Sequence, residues 1–357
     1  MKTVLQQTRR DFLKTSLMSG LAMAAGSRFA ILARAEAAAP KTTSRVALMA
    51  GDDRANNVFR GLKVFEKEIA SAIGSRRVVL KPNNVVVDVP LCATHASCLE
   101  ATLEFLKSIG KLQNAVIAES AANGPAIEGF TNYGYTRVAE KYGVKMLDLD
   151  EGEVQIVHVF DEKDFRPHAV RMSKLLLDRN NFIISAAKLK THDRIVATLS
   201  LKNIVFGAPV KDAGFRWGKA CKPGAKCDKP IAHGSGFRAI NYNLFALAPR
   251  LHPHLSIIDG YDGMEGNGPV RGTAVDHKVC VVSPDWLAAD RTGVELMGID
   301  FAKIGYLNFC AQARMGEADM SKIEIVGEPM SRHIKSYKLA NNVEKQLIWM
   351  TPPKVEG

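Results

Sequence analysis

The sequence predicts an α/β protein with a largely parallel sheet and helices on both faces. Short runs of β-branched and aliphatic residues alternate with amphipathic helical patterns, and the order strand, helix, strand is typical of parallel sheets. Polar residues follow several apolar runs directly, as they do at the carboxyl ends of strands that line a ligand site. A chain of 357 residues is long enough for a sizeable core.

The N-terminal half shows the alternation most clearly. We predict strand 46–50, helix 58–73, strand 77–80, helix 94–109, strand 114–118, helix 135–142 and strand 144–149. Thr94 is the predicted cap of the second helix, because its hydroxyl can accept a hydrogen bond from a free amide. Gly110 and Gly143 stand just past the ends of two helices, where glycine is preferred.

The second half is less regular. We predict a hairpin of 154–160 and 168–172, strand 181–185, helix 200–206, strands 255–258 and 279–283, and helix 285–297. The stretch 207–236 is polar and rich in Gly and Lys, which indicates an inserted loop. We expect the tail 301–357 to be an extension packed on the α/β domain.

The N-terminus predicts a twin-arginine signal peptide over residues 1–39. Arg9 and Arg10 precede Phe-Leu-Lys, an apolar stretch covers 15–32, and small residues then offer cleavage sites. We therefore expect the twin-arginine translocation machinery to be a partner and the mature protein to work in the periplasm. The other interpretation is an amphipathic helix of the folded domain.

Charge and hydropathy narrow the classes of partner. The formal net charge is +11, and about +7 remains without residues 1–38, which carry six basic and two acidic residues. A moderately basic protein suits a small anionic ligand. No basic run is interleaved with aromatic residues, so we expect no nucleic-acid partner. No other stretch is apolar enough to span a bilayer, so we expect no integral membrane protein after cleavage.

The six cysteines form no C-x-x-C pair, so neither a zinc ribbon nor an iron–sulfur cluster is indicated. Cys221 and Cys227 lie in the loop-like stretch and are the predicted disulfide, since thiols outside the cytoplasm can be oxidised. The remaining four are expected to be buried as small apolar residues: Cys92, Cys98, Cys280 and Cys310.

Polar and charged residues stand where the predicted strands end. They are Lys81, Asn83, Glu119, Ser120, Lys188, Lys190, Thr191, His192, Asp259 and Asp262, with Lys202 and Asn203 soon after. Because the carboxyl ends of parallel strands meet at one edge, we expect these side chains to form a single site. Ammonium groups gathered there would bind a carboxylate or a phosphate. The alternative for each lysine alone is a solvated surface position.

The segment 259–269 is the most unusual in the chain, with four glycines and three acids. We predict a loop in which the backbone at Gly266 and Gly268 approaches a ligand. Asp259, Glu265 and Asp290 are the predicted ligands of a divalent metal, and the alternative is a long turn with solvated acids. The predicted catalytic residues are Lys190, His192 and Glu265, with His192 as a base.

The order of these motifs resembles the family known as domain of unknown function 362. The motifs are VLKPN at 79–83, TH at 94–95, AES at 118–120, KLKTH at 188–192, SLKN at 200–203, DG at 259–260, GMEGNGP at 263–269 and SPD at 283–285. The resemblance covers 46–300 and implies an α/β domain. Some relatives carry ferredoxin-type iron–sulfur modules. This chain lacks their cysteine repeats, so we expect no cluster on this chain alone.

Three functional hypotheses follow. The leading one is an exported, metal-assisted enzyme that acts on a small anionic substrate. The alternative is a periplasmic binding or accessory protein linked to iron–sulfur or other redox cofactor systems. The third is a structural domain whose charged edge is only a network of salt bridges.

Overall fold

The computed structural model describes residues 44–218 and 221–352, so the predicted signal peptide lies outside the described residues. The strands in these ranges are β1 (Ser44–Ala50), β2 (Arg77–Pro82), β3 (Ala115–Glu119), β4 (Lys145–Asp148), β5 (Val154–Asp161), β6 (Arg166–Ser173), β7 (Asn181–His192), β8 (Val196–Thr198), β9 (Leu255–Asn267), β10 (Arg271–Ser283) and β11 (Ile323–Gly327).

Nine of these strands form one sheet in the order β11-β1-β10-β9-β7-β2-β3-β4, with β8 paired to β7. The run β9-β7-β2-β3-β4 is parallel throughout. Strand β10 is antiparallel to both of its neighbours, and β11 is parallel to β1. The sheet is therefore largely parallel, as predicted, and the parallel part contains β2, β3 and β7.

Helices cover both faces of this sheet. They are α1 (Arg54–Lys63), α2 (Glu66–Ile73), α3 (Ala96–Ser108), α4 (Ala126–Asn132), α5 (Tyr135–Tyr142), α6 (Lys174–Leu177), α7 (Ser200–Val205), α8 (Lys229–Ala232), α9 (Phe237–Leu247), α10 (Trp286–Leu296), α11 (Gly305–Gln312) and α12 (Val343–Gln346).

Alternation along each strand divides the core in two. In β1, Ala47 and Met49 belong to the core that α1 to α5 cover, whereas Val46 and Leu48 belong to the core under α7, α9, α10 and α11. Successive side chains of a strand point to opposite faces, so a sheet buried on both sides needs apolar residues at nearly every position. This arrangement confirms the predicted α/β class.

Some boundaries differ from the prediction. The predicted helix 58–73 is two helices, α1 and α2, which are separated at Val64 and Phe65. The cap of α3 is His95 rather than Thr94, since the His95 ring accepts the Ser97 amide at 3.2 Å. Thr94 instead ties two segments together, because it accepts the Asn83 amide at 2.8 Å and donates to the Ala186 carbonyl at 2.6 Å.

The glycine-rich segment is the largest departure. Residues 259–267, predicted as a loop, continue β9 and form a long hairpin with β10. Glycine is needed at Gly263, because a β-carbon there would overlap the Tyr337 hydroxyl. Close packing, rather than a ligand, thus accounts for this glycine.

The predicted hairpin is confirmed as β5 and β6, which form a separate two-stranded sheet. The described part of 207–236 contains α8 and two isolated bridges, one between Lys211 and Cys227 and one from Pro209 to Met172. The predicted disulfide is absent: Cys221 and Cys227 are both free, and the Cys221 sulfur contacts its neighbour's carbonyl at 3.5 Å.

The other four cysteines are buried, as predicted. The described residues from Ser44 onward form one compact unit. Among them, no helix has the length and apolar character needed to cross a membrane.

Candidate functional site

A cavity of about 260 Å³ lies where β2, β3 and β7 end beside α7 and α8. We call it the lysine cavity. Its lining includes Lys81, Asn83, Asn84, Glu119, Ser120, His192, Asp193, Arg194, Lys202, Asn203, Gly207, Lys229 and His233. Seven of these side chains were expected to converge from their positions in the sequence, so the structure does bring together a large part of the predicted site.

A buried ion pair lies at one wall of the cavity. Lys81 Nζ lies 2.7 Å from Glu119 Oε1, and both side chains are almost fully buried. Glu119 is held further by the amides of Ser120 at 2.8 Å and Asn84 at 2.9 Å. Burial lowers the pKa of Lys81, and the Glu119 carboxylate opposes that change. Glu119 therefore keeps a charged lysine in a place where an isolated ammonium would be costly.

Asn203 connects this pair to the rest of the wall. Its Oδ1 accepts from Lys81 Nζ at 3.1 Å and from Asn83 Nδ2 at 3.2 Å, and its Nδ2 donates to Ser185 Oγ at 3.0 Å. One side chain thereby joins α7 to the strands β2 and β7.

Two asparagines leave buried polar atoms without partners. Asn83 Oδ1 and both amide atoms of Asn84 make no hydrogen bond within the described ranges. Most buried polar atoms in proteins are paired, because an unpaired one loses its hydration without compensation. Both residues line the cavity, but these atoms have almost no exposed surface, and the Asn84 amide packs against Gly129.

Lys202 enters the cavity from α7. Asp290 fixes the start of this helix, since its carboxylate accepts the amides of Ser200 at 2.7 Å and Leu201 at 3.0 Å. The Lys202 amine makes no hydrogen bond or ion pair with any described residue, although only 8% of the residue is exposed. Burial, reinforced by the positive charge of Lys190, lowers the pKa of Lys202 to about 7.

Lys229 lies in α8 and was not predicted as a site residue. Its amine donates to the Pro209 carbonyl at 2.7 Å, and burial lowers its pKa to about 8. Nearby, Lys211 forms an ion pair with Asp150. The stretch 207–236 has no regular periodicity, so no pattern in it could place these lysines beside the strand ends.

Two neutral imidazoles complete the lining. His192 Nδ1 accepts the Arg194 amide at 3.0 Å, which assigns the ring proton to Nε2. His233 Nδ1 lies 2.6 Å from the Lys229 carbonyl, which assigns its proton to Nδ1. Burial and then the Lys202 charge hold the pKa of His192 well below its usual range, and the same causes lower that of His233 to about 4. At neutral pH one ring offers a donor and the other an acceptor.

The remaining predicted lysines lie elsewhere. Lys190 Nζ donates to the Cys92 carbonyl at 2.7 Å, and burial lowers its pKa to about 8. Lys188 lies 3.9 Å from Asp259, which also faces Arg54 at 3.3 Å. Lys188, Asp259 and Arg54 thus form an ion-pair cluster. Neither this cluster nor Lys190 belongs to the cavity lining.

The structure does not assemble the predicted metal site. Asp259 belongs to the ion-pair cluster, Glu265 accepts the Lys338 amide at 2.9 Å, and Asp290 caps α7. Among the described residues, the one group of three metal-type ligands is Asp161, Asp164 and His168, at the turn of the β5–β6 hairpin. Glu265 also lies outside the cavity lining that contains His192.

The residues Thr191, Gly266 and Gly268 have a packing role here. Thr191 Oγ1 donates to the Gly266 carbonyl at 2.8 Å. A β-carbon at Gly268 would overlap the Thr191 carbonyl, so glycine is required by the close approach of two backbones. None of the three lines the lysine cavity.

Comparison with known proteins gives two matches. A family model described as "Domain of unknown function (DUF362)" matches residues 78–295. The chain is 27% identical over 243 residues to "Thylakoid-associated protein sll1697" of Synechocystis sp., which covers 67% of this chain and 68% of that protein. The family match includes every residue that lines the lysine cavity.

Proposed function

We propose that this chain, which belongs to the family of the domain of unknown function DUF362, binds a small carboxylate or phosphate in the lysine cavity and acts on it as an enzyme. The observation that carries the proposal is an excess of buried positive charge. Three buried lysines line the cavity, namely Lys81, Lys202 and Lys229, against one buried carboxylate, Glu119. The other two charged lining residues are the exposed Arg194 and the half-buried Asp193, whose charges are opposite.

The charge excess is costly without a ligand. A buried ammonium stays charged only when an anion or several hydrogen bonds compensate for lost hydration. The lowered pKa values of Lys202 and Lys229 express that cost in the absence of a ligand. A carboxylate or phosphate would supply the missing negative charge and accept charge-assisted hydrogen bonds from the amines.

Metal assistance does not form part of this proposal. The ammonium groups repel a cation, and the acids predicted as metal ligands have other partners. The neutral His192 and His233 rings instead supply a donor and an acceptor for proton transfer or ligand orientation.

We expect anion binding to weaken as pH rises. Lys202 and Lys229, with pKa values of about 7 and about 8, must be protonated to attract an anion. A bound anion raises the pKa of each amine that it contacts, so oxalate binding takes up protons. We use oxalate as the anionic probe. Because losing one charged hydrogen bond costs about 1.5–3 kcal/mol, the affinity for oxalate should fall at least about tenfold from about pH 6 to about pH 9. Isothermal titration calorimetry in buffers of different ionisation enthalpy measures both quantities.

Lys202→Met provides the matching variant. It should lower oxalate affinity about tenfold or more at about pH 6, because it removes the cavity amine that has no partner among the described residues. Lys322→Met is the control: that side chain is 62% exposed and pairs with Asp319. Oxalate and phosphate that fail to bind, or bind equally well to Lys202→Met, would contradict the proposal.

A binding or accessory protein is the second candidate. The observation that favours it is the name of the Synechocystis relative, which describes that protein by its association with thylakoids. The same cavity would then hold an anion without converting it. Nuclear magnetic resonance of a ligand incubated with an equal amount of protein separates the two, since only an enzyme returns a changed ligand.

We also propose export by the twin-arginine route to the periplasm. The support is the motif Arg9-Arg10 followed by an apolar stretch. Replacing both arginines by Lys should leave the precursor in the cytoplasm of a bacterial host, whereas the wild-type chain should be shortened and released by osmotic shock. A Lys2→Arg control should be exported normally. Equal periplasmic recovery of the double variant would refute the route.

A further inference from the structure

We infer that Lys202 is a nucleophilic amine that forms an imine with a small carbonyl compound carrying a carboxylate or a phosphate. The inference rests on the proposed anion site and specifies the class of its substrate. The cavity of about 260 Å³ is large enough for a ligand of a few carbon atoms.

Lys202 differs from the other buried lysines in its contacts. Lys81 is paired with Glu119, Lys229 donates to a carbonyl at 2.7 Å, and Lys190 donates to another at 2.7 Å. Lys202 Nζ has no such partner in the described part of the chain and lies 5.8 Å from the centre of the Phe206 ring. An amine held by a carboxylate stays protonated, whereas an unheld, buried amine can present its lone pair.

The surroundings favour the neutral amine. Burial and the charge of Lys190 bring the pKa of Lys202 to about 7, so a large fraction is unprotonated at neutral pH. A lysine that is desolvated beside other cations is a common form of activated amine nucleophile.

The same surroundings can hold the two ends of the ligand. Lys81 and Lys229 provide positive charge for a carboxylate or phosphate. The Nε2 proton of His192 provides a hydrogen-bond donor for a carbonyl oxygen. A carbonyl acid thus matches the cavity better than a simple anion does.

The chemical step is a condensation. The lone pair of Lys202 Nζ attacks the carbonyl carbon and forms the C–N bond, while the carbonyl π electrons move to oxygen. The oxygen then leaves as water with the two amine protons, and the C=N bond remains. No oxidant or metal is required, and hydrolysis reverses the step.

Borohydride trapping tests the inference on the mature protein. Glyoxylate and pyruvate are the carbonyl probes, and borohydride reduces an imine to a stable secondary amine that peptide mass spectrometry locates. We expect labelling at Lys202 and its loss when oxalate occupies the cavity first. Absence of label at Lys202, or label spread over exposed lysines and indifferent to oxalate, would overturn the inference.

Lys202→Arg separates the imine from the anion site. Arginine keeps the positive charge but its guanidinium is not a comparable nucleophile. The variant should therefore bind oxalate and lose the trapped adduct, while Lys322→Arg should keep both. If wild-type protein binds oxalate but is not labelled at Lys202, the imine is refuted and the anion site stands. If oxalate does not bind at all, the proposed function fails with it.

Discussion

Glu119→Gln should lower the free energy of unfolding by about 3–5 kcal/mol, because it leaves the buried Lys81 ammonium without its counter-charge. The glutamine can still accept one hydrogen bond, but the charge that offsets desolvation of Lys81 is gone. Urea denaturation followed by circular dichroism measures the change.

Glu100→Gln is the matched control. Its carboxylate also pairs with a lysine, Lys141, at 2.5 Å, but the two side chains are 38% and 60% exposed. Water already solvates such charges, so the expected loss is about 0–1 kcal/mol. Losses of equal size in the two variants would show that the Lys81 pair is not special.

A double variant shows whether a loss of stability in Glu119→Gln comes from the unpaired charge or from misfolding. Lys81→Met combined with Glu119→Gln removes both charges, and replacing a whole buried pair is often nearly neutral. We expect the double variant to recover most of the stability lost by Glu119→Gln. It should bind oxalate more weakly than wild type, because one ammonium of the lysine cavity is missing.

Gly207→Ala should damage stability and anion binding together. A β-carbon at Gly207 would overlap Lys81 Cε and lie 2.5 Å from the Asn203 carbonyl oxygen and from Lys81 Nζ. Lys81 cannot withdraw without leaving Glu119, so the expected loss of stability is about 1–3 kcal/mol. Oxalate affinity should fall as the amine is displaced, which calorimetry on the folded fraction measures.

Gly152→Ala is the control for this substitution. Its β-carbon would meet only the Leu149 carbonyl oxygen at 3.6 Å, an ordinary contact. We expect a change within about 0.5 kcal/mol, or a small gain from reduced freedom of the unfolded chain. Wild-type stability and affinity in Gly207→Ala would mean that Lys81 has more room than its contacts indicate.

Much of the parallel sheet could be predicted from local pattern. Strands β2 and β3 and the first half of β7 are short apolar runs followed at once by polar residues, and hydrophobic periodicity reports such runs well. Strand β7 itself continues through the polar residues to His192, past the predicted end at 185. The hairpin β9–β10 could not be predicted in the same way. Its glycines contradict strand propensity, and Gly263 is explained only by contact with Tyr337 from the tail.

The candidate site, too, could be predicted from the sequence only in part. Strand order and the family motifs were enough to select Lys81, Asn83, His192, Lys202 and Asn203, which all line one cavity. They were not enough to separate the lysines by role, since Lys188 and Lys190 have the same charge as Lys81 and Lys202 and stand in similar positions in the sequence. Their partners, Asp259 and the Cys92 carbonyl, are distant in the chain.

By itself, the sequence determined the α/β class, the apolar runs of the parallel strands and the basic character of the site, because these depend on residues that are neighbours in the chain. Tertiary structure decided which charges are compensated. It paired Lys81 with Glu119, brought Lys229 and His233 from an irregular stretch, and left Lys202 without a partner among the described residues. Charge compensation depends on distance and burial in space, which no pattern of neighbouring residues contains.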